Sequence, residues 1–141
     1  MKRLFIFLIF VLASCASHDA VVYKSIDLSE KSITVPIGSR GLKGGIKKAL
    51  ASEGWNLVVD KGPSVTQGSL GEDTNLSNYD TFNSRYRLLV TSAWIDVCLN
   101  LSPFISYDVV VIDNSAGAEV FTLSGRGCEN DVIDKFMQAL K

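Results

Sequence analysis

With 141 residues and 14 Lys and Arg against 15 Asp and Glu, the chain suits one domain with a hydrophobic core and has no basic excess. Nucleic acid is excluded as a partner, because its binders present a basic face. The only histidine, His18, lies near the N-terminus, so Ser/His/Asp or Cys/His nucleophiles and histidine-ligated zinc are excluded from the body of the domain.

The first element is a targeting pattern. Lys2 and Arg3 precede an unbroken apolar run from Leu4 to Ala13, half of the roughly 20 residues a helix needs to cross a bilayer. Small residues then lead into a cysteine, as in a secretory signal. Leu12-Ala13-Ser14-Cys15 resembles the lipobox of bacterial lipoproteins. The resemblance covers only these 15 residues, and it implies that residues 1–14 are a cleaved signal peptide and that Cys15, acylated by fatty acids such as palmitate, begins the mature chain. It also implies an address: Ala16, rather than an aspartate, favours the outer membrane facing the periplasm over the inner membrane.

Residues 15–30 read as the lipidated Cys15 and a tether, with a possible edge strand from Ala20 to Ile26 and a solvated His18. Fully extended, these residues reach at most roughly 50 Å. A single domain is expected over 31–141. Ile33, Val35 and Ile37 alternate with Ser32 and Thr34 as in a strand, which Pro36 confines to an edge or a strand end. Ser39 is a plausible cap for a helix carrying Leu42, Ile46, Ala49 and Leu50 on one face, stopped at Gly54. Gly45 lies on that apolar face, where a missing side chain permits close approach of the helix to a sheet. A second strand, Trp55 to Val59, follows.

From Gly62 to Ser84 the composition predicts a long surface loop, which at over 20 residues is functional, mobile or hiding a short strand. Its aromatic residues Tyr79 and Phe82 are candidate partner contacts. Arg85 to Val97 is a strand by its β-branched and aromatic content, with its inward face undecided. Phe104 to Asp113 places Ile105, Tyr107, Val109 and Val111 on one side. Asn114-Ser115-Ala116-Gly117 is a turn signal, and Glu119 to Ser124 returns antiparallel with Phe121 and Leu123 sharing a face. A last helix, capped by Asn130 or Asp131, has an apolar stripe of Val132, Ile133, Phe136, Met137 and Leu140. Two one-sided helices predict an α+β two-layer sandwich, both helices on one face of a mostly antiparallel four- to five-stranded sheet. The first two strands should be parallel across their helical crossover.

Cys98 and Cys128 remain once Cys15 is given to lipid, and an even pair in a secreted domain predicts a disulfide. Gly38 to Gly45 matches neither phosphate-loop pattern, though Arg40 and Lys43 at the helix start are possible anion contacts. Asp96, Asp108 and Asp113 are the acids from which a glycan-hydrolysing pair would have to come. Trp55, Trp94 and Tyr107 are core rings before they are stacking platforms. The expected function is non-catalytic: an envelope lipoprotein that binds or positions an envelope protein or glycan, without metal or cofactor. The alternatives are a carboxylate-dependent hydrolase and a small-ligand binder acting on wall or surface glycans. In architecture the reading resembles the small accessory lipoproteins of envelope assembly.

Overall fold

The structure, a computed structural model, describes residues 16–60, 64–67, 75–78 and 84–141. The expected signal peptide, Cys15, Tyr79 and Phe82 lie outside the described residues. Among the described residues, eight strands and two helices follow in order: β1 (Ser17–Val22), β2 (Ser32–Val35), α1 (Gly41–Ser52), β3 (Asn56–Val59), β4 (Ser64–Gln67), β5 (Asn75–Asn78), β6 (Tyr86–Val97), β7 (Pro103–Asp113), β8 (Ala118–Cys128) and α2 (Glu129–Ala139).

Six strands form one sheet in the order β1-β8-β7-β6-β2-β3, and β4 pairs antiparallel with β5 separately. This corrects the expected four- to five-stranded, mostly antiparallel sheet. The sheet is mixed, because β2 lies parallel to β3 on one side and to β6 on the other. It is also one strand wider, because β1 adds to the edge of β8 antiparallel, Ser17 opposite Arg126 through Val22 opposite Phe121. The parallel β2–β3 pair was expected from the crossover. The β2–β6 pair was not, since periodicity shows that a segment is a strand and leaves its neighbours open.

One face of the sheet carries the core. Ile33, Val35, Tyr86, Leu88, Val90, Ile105, Tyr107, Val109, Val111, Phe121 and Leu123 are buried with Leu42, Ile46 and Leu50 of α1 and Val132 and Phe136 of α2. The inward set of β6 is therefore Tyr86, Leu88 and Val90, with Leu89 half exposed on the other face. Phe121 meets Phe136 at a centroid distance of 5.6 Å and Trp55 meets Tyr86 edge-on at 6.0 Å, offset geometries that aromatic pairs prefer.

The helices also touch each other. A Cβ built on Gly45 would lie 2.3 Å from Ile133 Cδ1, so the missing side chain admits the second helix rather than the sheet. The helix starts differ from expectation: Arg40 is the N-cap of α1 and Cys128 that of α2, neither with a side-chain capping bond. Gly54, at φ +80°, does stop α1.

The stretch read as a tether lies against the sheet. After β1, the N–H groups of Tyr23 and Lys24 both donate to Val120 O, and Asp27 N donates to Tyr86 Oη at 2.8 Å. Only Ala16 among the described residues precedes β1.

Candidate functional site

Sequence-predicted residues gather at the end of the sheet where β1 begins. There Cys98 and Cys128 form a disulfide with a Cα separation of 6.0 Å, as expected. Phe104 pairs with Cys128 and with Asp96, so the bond reaches from the end of β6 to the end of β8 across β7. It ties the β6–β7 hairpin end to the start of α2.

Beside it sits a residue whose placement the sequence reading missed. His18 Nδ1 shares a 2.6 Å hydrogen bond with the hydroxyl of Tyr107, either group donating according to the tautomer. The two rings lie 5.9 Å apart. A Cβ on Gly127 would stand 2.4 Å from His18 Cε1, and one on Gly125 would stand 2.0 Å from Ser17 O. The imidazole thus lies over a bare strand. Partial burial, and secondarily the charge of Lys135, hold its pKa below the ordinary value, with Asp131 opposing weakly. Glycines flanking Arg126 were the available signal.

The candidate acids do not converge. Asp113 is a buried structural anchor at the opposite end: its Oδ1 accepts from Ser115 N at 3.0 Å and Ser115 Oγ at 2.7 Å, and its Oδ2 from Lys24 Nζ at 3.3 Å and Arg85 Nη2 at 3.1 Å. These bonds, that of the Ser115 hydroxyl first, hold its carboxyl below the usual carboxylate range. Asp108, exposed, is five residues away along β7, about 16 Å at strand rise. Asp96 is opposite Phe104, four residues from Asp108, or about 13 Å. Both backbone spans are longer than the roughly 5 to 9.5 Å that separates the two carboxyl groups in glycoside hydrolysis. Among the described residues no three His, Cys, Asp or Glu side chains group as metal ligands would.

Arg40 and Lys43 stand at the start of α1 as placed by sequence, but Glu129 of α2 already brings a carboxylate there: its Oε2 lies 3.6 Å from a Cβ built on Gly41. Burial raises the Glu129 pKa. Trp55 and Tyr107 are core rings, 6% and 5% exposed, whereas Trp94 is 68% exposed. With Val97, Leu99 and Leu101 it makes the hairpin end apolar and open, a feature the sequence reading did not single out.

No family model and no curated protein matches the chain. Solved structures do match, over nearly the whole length. The fold resembles that of PelC. A PelC dodecamer from Paraburkholderia phytofirmans superposes with a TM-score of 0.58 at 13% identity, covering 89% of this chain and 98% of that one. A variant PelC dodecamer from the same organism gives 0.53 at 14% identity, covering 89% and 96%. At such identity the likeness to PelC is one of fold.

Proposed function

We propose that this chain is a lipid-anchored envelope protein, held by acylated Cys15 on the periplasmic face of the outer membrane, whose domain positions another envelope component without catalysing a reaction. The observation that carries it is at the N-terminus: the lipobox-like Leu12 to Cys15 ends two residues before the edge strand that opens the domain. Supporting it are the disulfide, which suits an oxidising compartment, and the separation of Asp96, Asp108 and Asp113, which weighs against a carboxylate hydrolase. The PelC structures it resembles are dodecamers, and we extend the proposal to self-assembly of this chain on the membrane, with a protein or glycan as the further partner.

Metabolic labelling with a fatty-acid analogue tests the anchor. The wild-type chain should be labelled and the Cys15→Ala variant should not; equal labelling of both overturns the reading. Light scattering of the detergent-solubilised protein tests assembly, and a monomer at all concentrations would refute that extension.

A further inference from the structure

The strand register puts the chain's entry and its apolar end on the same side of the molecule. Ser17 pairs with Arg126, Arg126 with Ser106, and Ser106 with Ala93, so these four residues form one level across the sheet. β6 continues past that level through Trp94 to Val97, which lies opposite Pro103, three residues beyond Ser106 on β7, about 10 Å at strand rise. From Ser17 back to Cys15 the chain has two residues, a reach of at most roughly 7 Å. The hairpin therefore extends further toward whatever holds Cys15 than the chain leading to Cys15 can.

What the hairpin presents is apolar. Trp94 is 68% exposed, Val97 54%, Leu101 86%, and Leu99 fully so. From Trp94 to Pro103 there is no Lys or Arg and one acid, Asp96, whose Oδ1 accepts from Val97 N. The end is built to hold these side chains outward. Cys98 is bound to Cys128, Cys98 N donates to Ser102 O at 2.8 Å, Leu101 N to Cys98 O at 2.9 Å, and Asn100 Oδ1 accepts from both Ser102 N and Ser102 Oγ. Leu101 has a φ of +64°, the only non-glycine residue in the left-handed region among the described residues, where a Cβ is disfavoured. Behind the apolar end, at the level of Ser17, stands exposed Arg126. Glu129 and Asp131 open α2 next to Cys128, so the match to a bilayer rests on the apolar residues that stand foremost.

We propose that the β6–β7 hairpin end is a membrane-docking tip, in which Leu99 and Leu101, followed by Val97 and Trp94, enter the surface of the same bilayer that holds the acyl chains of Cys15. The inference rests on the lipid-anchor reading. It adds orientation: β1 and β6 are separated by β8 and β7, about 14 Å at strand spacing, so anchor and tip are two separate attachments, and the sheet stands on its end rather than swinging on a linker.

The test uses the full lipidated protein reconstituted in phosphatidylethanolamine and phosphatidylglycerol vesicles with brominated acyl chains, which quench tryptophan on contact. Trp94 is the exposed reporter and Trp55 a buried background. Most of the Trp94 emission should be quenched. A Leu99→Asn, Leu101→Asn variant should lose most of that quenching while still floating with the vesicles and keeping a folded circular dichroism spectrum. Intact mass shows whether Cys15 is acylated. An acylated, vesicle-bound protein with unquenched Trp94 overturns the docking tip and leaves the anchor reading standing. An unacylated Cys15 overturns the anchor reading and the tip with it. Quenching undiminished in the variant would remove Leu99 and Leu101 from the contact and refute the proposal as stated.

Discussion

Replacing Cys98 and Cys128 together by serine should cost the domain roughly 3 to 4 kcal/mol. The two residues are 30 apart in sequence, and closing a loop of that length removes about this much entropy from the unfolded chain. The native side of the balance changes little. The β6–β7 ladder persists to Val97 opposite Pro103, and the β7–β8 ladder to Phe104 opposite Cys128, so the strands the bond links remain paired through β7 without it. Such a loss is a large share of the 5 to 15 kcal/mol that typically separates folded from unfolded. For a domain of this size it lowers the melting temperature by roughly 10 to 20 °C.

The mechanism makes a second, sharper statement. Because the bond acts mainly on the unfolded ensemble, its removal lets that ensemble expand, and the denaturant slope m should rise while the midpoint falls. Urea unfolding followed by the emission of Trp55, buried against Tyr86, reads both quantities. A loss below about 1 kcal/mol with an unchanged slope would refute the account. A large loss with an unchanged slope would place the bond's effect in the native state instead.

Two further outcomes follow from the geometry. Gly44→Ala should destabilise by about 2 kcal/mol, because the new Cβ meets the Ser39 carbonyl oxygen at 2.1 Å and backbone yields poorly; Gly45→Ala should stay within about 1 kcal/mol, since Ile133 Cδ1 can rotate away and alanine restores about 1 kcal/mol of helix propensity. Equal losses in thermal unfolding would contradict this. The second concerns pH: His18 has a lowered native pKa and an unfolded value of about 6.5, so between the two the unfolded chain binds more protons and stability rises with pH, levelling above about 6.5. The groups facing the imidazole are Tyr107, Lys135 and Asp131. A titration of the His18 ring by NMR should give a midpoint below 6.5, and His18→Gln should flatten the stability slope just below that pH; a midpoint at or above 6.5 would refute the assignment.

What was legible in the sequence is what burial writes into it. Ile105, Tyr107, Val109 and Val111 alternate because one face of β7 is dry, and Val132, Phe136 and Leu140 recur at helical spacing for the same reason. The disulfide followed from counting cysteines. β6 was harder, because Leu89 and Ile95 place apolar residues on its outer side and a bulge between Trp94 and Asp96 breaks the alternation where the sheet ends. Neighbours were not legible at all: β2 between two parallel partners looks in sequence like any short buried strand.

The largest difference, β1, arises from the same gap between period and partner. Ser17 to Val22 has no alternating apolar pattern, and five of its six residues are exposed, so the edge strand expected from Ala20 to Ile26 shares only Ala20 to Val22 with the observed one. The information lies on the other side of the pair. The glycines flanking Arg126 read as the end of a strand at Ser124, yet β8 continues to Cys128, and its lack of side chains at Gly125 and Gly127 leaves the space that Ser17 O and the His18 ring occupy. Glycine inside a strand commonly marks the close approach of another backbone. Read that way, the two glycines require something to lie across them, and the only histidine, with Tyr107 as its hydrogen-bond partner, fills the place. Pairing of β1 there shortens the link between Cys15 and the sheet to a single residue, Ala16. A lipid anchor at Cys15 would then hold the domain at the membrane surface rather than at the end of a tether.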